Sequence, residues 1–85
     1  MTNTGRQVVL LTKDDCDLCE QAKKTLERLS DEFQLHVRHV ALDSSEGVEL
    51  AREAGAPFPP VVFVDGRAFS YGRLSERKLR KTLLV

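Results

Sequence analysis

The chain has few of the residues that define several protein classes. It contains only two cysteines and no tryptophan among 85 residues, and aromatic residues make up 6% of it. Two cysteines are too few for a disulfide-stapled mini-protein, in which several bridges compensate for a small core. Its longest apolar runs are far too short for a membrane-spanning helix, so we expect no membrane partner. With 41% apolar residues, the composition is typical of a small globular domain.

The N-terminal residues 1–7 have no apolar segment of the kind that forms the core of a secretory signal peptide. We therefore expect a cytoplasmic protein. In that reducing compartment, two closely spaced cysteines are more often catalytic or metal-binding than structural. A chain of this length has room for one hydrophobic core, so we expect residues 1–85 to form a single domain.

Charge is balanced overall but unevenly distributed. The net charge is zero, yet acidic residues predominate from Asp14 to Asp65, and basic residues predominate after Gly66. The basic C-terminal segment could bind an acidic partner or nucleic acid, or it could be the solvated face of a helix. Because no aromatic stacking platform accompanies these charges, we favour the solvated face and expect no nucleic-acid partner.

The two cysteines form a Cys-X-X-Cys pair, Cys16-Asp17-Leu18-Cys19, between a predicted buried strand and an amphipathic helix. Unpaired N–H groups at a helix N-terminus stabilise a thiolate. We therefore predict that Cys16, at the helix entrance, attacks a disulfide, and that Cys19, one turn further, resolves the mixed disulfide. Lys13 favours the thiolate, whereas the acidic neighbours of the pair oppose it. These are Asp14, Asp15 and Asp17.

A metal site is the main alternative for the cysteine pair. Zinc requires four ligands, and the only histidines, His36 and His39, lie on opposite faces of a predicted strand. We therefore expect no metal held within one chain. A dimer that shares zinc or an iron–sulfur cluster through Cys16 and Cys19 remains an alternative.

The hydrophobic pattern and the turn residues predict the order β-α-β-α-β-β-α, an α/β fold with a four-stranded mixed sheet and three flanking helices. In the second strand the apolar alternation is blurred, which indicates a bulge or burial on both faces. Asp65-Gly66 is typical of a hairpin turn. The predicted strands cover residues 7–12, 34–42, 61–64 and 67–71, and the predicted helices cover 20–33, 46–54 and 76–84.

Residues 11–19 (LTKDDCDLC) place an aliphatic residue, Thr and Lys before the cysteine motif, and residues 60–66 (PVVFVDG) place a proline before a predicted strand that ends in an Asp-Gly turn. Both segments resemble the glutaredoxin-like proteins of the thioredoxin superfamily, in particular the small bacterial type with Cys-X-Leu-Cys. In that family an aliphatic or aromatic residue, Ser or Thr, and Lys precede the active-site motif, and a similar strand and turn follow later. The resemblance covers essentially the whole domain and implies the thioredoxin fold.

The resemblance also implies a substrate site. In this superfamily a cis-proline before the third strand lies against the active-site disulfide, and Pro60 stands at that position. Taken without the resemblance, the three prolines of residues 57–60 indicate only a stiff loop. Pro59 precedes Pro60 and has no N–H to donate to a substrate backbone. Lys13 belongs to the matching active-site segment, Phe58 could line a substrate groove or lie buried under the loop, and Gly72 is the one glycine left of a Gly-Gly pair beside the glutathione site.

We therefore expect a thiol–disulfide oxidoreductase in which Cys16 and Cys19 are catalytic and Lys13, Phe58, Pro59, Pro60 and Gly72 contact substrate. It would reduce protein or low-molecular-weight disulfides as a monomer without a bound cofactor. Glutathione or a reductase would regenerate the dithiol. The alternative is a non-catalytic binding module, or a metal or iron–sulfur carrier that uses the same cysteines in a dimer.

Overall fold

The computed structural model describes residues 5–84 and has the predicted α/β order. Within that range four strands form one mixed sheet and three helices flank it, which confirms the predicted fold class. None of these helices is long and apolar enough to cross a bilayer. The elements are β1 (Arg6–Thr12), α1 (Asp17–Ser30), β2 (Leu35–Ala41), α2 (Ser45–Ala54), β3 (Val61–Val64), β4 (Arg67–Tyr71) and α3 (Glu76–Leu83).

The sheet has the order β2-β1-β3-β4. β1 and β2 are parallel and are joined by α1, whereas β3 is antiparallel to both β1 and β4. The β3–β4 hairpin turns at Asp65 and Gly66, whose φ angles of 50° and 82° are both positive, as a type I′ turn requires. One register shift in the β3–β4 pair leaves Phe69 as an extra residue in β4.

Both faces of the sheet are covered, which explains the blurred alternation in β2. Leu35 and Val37 pack on the side of α1 and α3, whereas Val40 and Leu42 pack on the side of α2. The β1–β2 register is continuous over seven residue pairs, so burial on both faces accounts for the pattern and a bulge does not. Each face of the sheet therefore has its own apolar cluster.

The boundaries of α1 differ from the prediction at both ends. The helix begins at Asp17 because Cys16 is its N-cap, and the Cys16 sulfur accepts a hydrogen bond from the Cys19 N–H at 3.1 Å. It ends at Ser30, after which the N–H groups of Asp31 and Glu32 bond only three residues back, to the carbonyls of Arg28 and Leu29 at 3.1 and 3.0 Å, in a tighter turn. Phe33 still packs against the core from that turn, which extends the helical periodicity beyond the helix.

Part of the basic C-terminal segment is paired with acidic residues across the α1–α3 interface. Arg80 donates to Glu32 at 2.7 Å and to Glu76 at 3.1 Å, and Arg28 donates to Glu76 at 2.6 Å. Bonds from Arg28 and Arg80 lower the pKa of Glu76, and the bond from Arg80 lowers the pKa of Glu32. The Arg28–Glu76 pair fastens α3 to α1, the helix that carries the cysteines, and the Arg80–Glu32 pair fastens α3 to the turn that follows α1.

Candidate active site

The cysteine pair lies at the junction of β1 and α1. Cys16 has an extended backbone, with φ −128° and ψ 105°, and is partly exposed, whereas Cys19 lies in the first turn of α1 and has no exposed surface. The two sulfurs are at disulfide distance and the Cα atoms are 5.2 Å apart. Two chemically identical side chains therefore occupy different environments, one at the surface and one in the core.

The loop before the cysteines is exposed and acidic. Asp15 has a φ angle of 54°, in the left-handed region that few non-glycine residues other than Asn and Asp adopt. Lys13 and Asp15 line a cleft of about 460 Å³ whose other wall is the end of β2, including His39. Lys13, three residues before Cys16 in the sequence, thus lies in a cleft that is lined by charges of both signs.

The loop before β3 reaches the same end of the sheet as the cysteines. Leu11 pairs with Val61, so Pro60 lies beside the end of β1, from which the chain continues to Cys16. The peptide bond between Pro59 and Pro60 is cis. Pro60 is buried, and its carbonyl accepts a hydrogen bond from the Gly72 N–H at 2.8 Å.

Phe58 and Gly72 are in direct contact. Gly72 has a φ angle of 74°, and a Cβ atom added to it would lie 2.8 Å from Cε1 of Phe58. Phe58 remains 52% exposed, so it is a surface residue and is not buried under the loop. The structure therefore brings together three of the predicted substrate residues, namely Phe58, Pro60 and Gly72.

Two residues on either side of Gly72 were missed by sequence reasoning. Tyr71 is 48% exposed and meets the Phe58 ring edge to face, with a centroid separation of 5.4 Å. Arg73 is exposed, and its Nη1 donates to Oε1 of Gln21 on α1 at 3.4 Å. Both residues flank Gly72 in the sequence, but only the folded structure shows that Tyr71 contacts Phe58 and that Arg73 contacts α1.

The described part of the chain, residues 5–84, contains no group of three or more histidine, cysteine and carboxylate side chains placed to hold a metal ion. The two histidines are separated. His36 lies against Gly5, and His39 lines the cleft beside the cysteine loop. Nothing in this range therefore adds ligands to the cysteine pair within one chain.

Comparisons with known proteins agree with this architecture. Residues 7–84 match the model of the Glutaredoxin-like domain family. The uncharacterized proteins Rv0508 of Mycobacterium tuberculosis and Mb0520 of Mycobacterium bovis are each 34% identical over 76 residues, which cover 87% of this chain and 78% of theirs.

Solved structures show the same fold at lower identity. An uncharacterized thioredoxin-like protein from Clostridium perfringens superposes with a TM-score of 0.75 at 18% identity, over 98% of this chain and 71% of that one. The oxidized form of mitochondrial thioredoxin 3 from Saccharomyces cerevisiae gives a TM-score of 0.67 at 18% identity, over 93% and 76% of the two chains. At these identities the likeness establishes the fold.

Proposed function

Since this chain belongs to the glutaredoxin-like family of the thioredoxin superfamily, we propose that it is a thiol–disulfide oxidoreductase that reduces disulfides with the Cys16–Cys19 dithiol. The observation that carries the proposal is the asymmetry of the pair. A partly exposed sulfur at a helix N-terminus lies at disulfide distance from a buried one. Exchange requires an accessible thiolate and a second thiol within its reach, and this arrangement supplies both.

The reaction proceeds in two exchange steps. The Cys16 thiolate attacks one sulfur of a substrate disulfide, forms a mixed disulfide and expels the other substrate sulfur as a thiolate, which takes up a proton. Cys19 then loses its proton and attacks the Cys16 sulfur, which releases the second substrate thiol. Two electrons and two protons pass to the substrate, and a Cys16–Cys19 disulfide remains.

The chain's own groups favour Cys16 in the first step. The unpaired N–H groups at the start of α1 stabilise a thiolate at the N-cap, and Lys13 adds a positive charge in the same loop. Asp15 and Asp17 are close in sequence and act against the thiolate. Cys16 is therefore expected to be less activated than a thiol whose charged neighbours are all cations.

A thiol reductant closes the cycle. Two equivalents of glutathione, or one dithiol of a reductase, would convert the Cys16–Cys19 disulfide back to two thiols and be oxidised in turn. We place this cycle in the cytoplasm, whose thiol pool keeps cysteines reduced. The protein would work as a monomer and without a bound cofactor.

Substitution of each cysteine tests the proposal. Cys16→Ser should abolish reduction of a peptide disulfide, because it removes the attacking sulfur. Cys19→Ser should retain attack but accumulate a mixed disulfide at Cys16, because the resolving sulfur is absent. Intact-mass measurement after acid quenching detects the adduct, and the double variant shows the background.

Equal and mild effects of the two substitutions would contradict the mechanism. Stoichiometric zinc or iron in anaerobically purified protein, lost from both variants, would instead support a metal or cluster carrier. Metal analysis of the same preparations separates these two functions.

A further inference from the structure

We propose that Phe58, Tyr71 and Arg73 form a substrate-selecting surface, here called the aromatic–arginine surface, for polypeptide disulfides. It binds an extended segment that carries an apolar side chain and an acidic side chain close to its cysteine. The inference rests on the proposed function and adds the class of substrate.

The loop beside the cysteines offers almost no backbone donors to a substrate. Of residues 57–60 only Phe58 has an N–H, because the other three are prolines. The Pro60 carbonyl already accepts one hydrogen bond, from the Gly72 N–H at 2.8 Å. A substrate segment at this loop therefore depends on side-chain contacts more than on strand-like hydrogen bonding.

The aromatic pair supplies an apolar contact at this place. Phe58 and Tyr71 are two of only four large apolar side chains that are exposed within residues 5–84, and they are adjacent. The Phe58 ring is held between Tyr71 and the Gly72 backbone, so the pair is a preformed surface. Half-exposed aromatic rings in fixed positions are typical anchors for an apolar side chain of a partner.

Arg73 adds a charge preference. Its guanidinium lies against Gln21, which is five residues beyond Cys16 on α1 and so roughly 8 Å further along the helix axis. A guanidinium has five N–H donors, and a carboxylate can accept two of them at once. The cysteine loop is acidic, so an acidic substrate residue is attracted to the Arg73 side and repelled from the loop.

The same surface discriminates against glutathione. Glutathione has carboxylates that Arg73 could bind, but it has no apolar side chain to cover Phe58 and Tyr71. A polypeptide segment with an apolar and an acidic side chain would contact the whole surface, so the expected substrate is a polypeptide.

Binding of non-reducible peptides tests the surface separately from catalysis. The probes are two thioether analogues of a peptide disulfide, one with Leu and Glu beside the linked residue and one with Leu and Lys. We expect the wild-type protein to bind the Glu peptide about fivefold more tightly, a preference that weakens with salt. Arg73→Gln should abolish the preference, whereas Arg77→Gln, which removes an exposed arginine of α3, should leave it unchanged.

Phe58→Ser and Tyr71→Ser should each weaken binding of both peptides, because each removes half of the aromatic pair. Circular dichroism shows whether these variants are folded, and the double variant Phe58→Ser/Tyr71→Ser should bind neither peptide more tightly than it binds an unrelated peptide. The proposed role of the aromatic–arginine surface would be wrong if Arg73→Gln kept the preference for the Glu peptide, or if neither aromatic substitution changed the affinity for the peptides.

A third probe distinguishes the two sources of carboxylate. If a thioether analogue of glutathione disulfide binds more tightly than the Glu peptide, and Arg73→Gln weakens it, the site is a glutathione site and the polypeptide proposal is wrong. If the Glu peptide binds as expected but the wild-type protein reduces no disulfide, the surface stands and the proposed function fails.

Discussion

At the residue scale, environment distinguishes side chains that are identical in sequence. Cys16 is a partly exposed N-cap, and Cys19 is a core residue in the first turn of the helix that Cys16 caps. Glycines differ in the same way. Gly55 and Gly72 both have positive φ angles, but a Cβ at Gly55 would meet no atom within 4 Å, whereas one at Gly72 would meet Phe58.

This contrast predicts unequal costs for the same substitution. Gly55→Ala should lower the free energy of unfolding by about 1 kcal/mol, which is the penalty of a left-handed backbone for alanine. Gly72→Ala should cost about 1 kcal/mol more, because the added methyl also crowds the Phe58 ring. Urea unfolding of the two variants measures the difference.

The Phe58→Ala background is the control for that difference. In it Gly72→Ala should cost about as much as Gly55→Ala, because the crowding partner is gone. Equal costs of the two glycine substitutions in the wild-type background would show that Phe58 does not press on Gly72.

At the element scale, α1 joins the chemistry to the rest of the molecule. Its N-terminus carries the cysteines, its second turn contacts Arg73, and its C-terminal half is tied to α3 through Arg28 and Glu76. Because hydrogen bonds from Arg28 of α1 and Arg80 of α3 lower the pKa of Glu76, this carboxylate stabilises the fold in its charged form.

The pH dependence of stability follows from the direction of that shift. A carboxyl group whose pKa is lowered on folding contributes stability above its unfolded pKa, about 4.3 for glutamate, and loses it as the pH falls through the lower folded value. Glu76→Gln should therefore be less stable than wild type at pH 7. The gap should close as the pH is lowered below about 4, as followed by urea unfolding at several pH values.

Glu53→Gln is a matched control for this effect. Glu53 is an exposed helical glutamate of α2 with no ion pair to another described residue. Its substitution should change stability little at either pH. A Glu76→Gln deficit that persists unchanged at low pH would mean that packing, and not charge pairing, underlies it.

At the scale of the whole molecule, the features that could be predicted from the sequence are those that local residue patterns determine. Element order, the Asp65-Gly66 turn and the cysteine motif each depend on neighbouring residues, and all were recovered. The range 20–33 predicted for helix α1 begins and ends three residues late, although Cys16 was placed correctly at the helix entrance. Its cap is a cysteine instead of one of the usual cap residues, and Phe33 continues the apolar spacing from a turn.

The residues of the aromatic–arginine surface could be identified only from the folded structure. Phe58 and Tyr71 are thirteen residues apart, and Gln21 and Arg73 are separated by fifty-two, so neither contact has a local signal. Both depend on how the loop after β4 packs against the proline loop and α1. Sequence reasoning identified the glycine between Tyr71 and Arg73, but it could not assign a role to either neighbour.

A redox titration of the Cys16–Cys19 pair is the most direct test of whether these two cysteines form a redox-active dithiol. The protein is equilibrated anaerobically with dithiothreitol and then glutathione buffers, quenched with acid and alkylated, and its free thiols are counted by intact mass. We expect one two-electron transition from two free thiols to none, with a tenfold change in the ratio of reduced to oxidised protein for about each 30 mV. Two thiols that remain free in the most oxidising buffer, or that oxidise independently of each other, would contradict it.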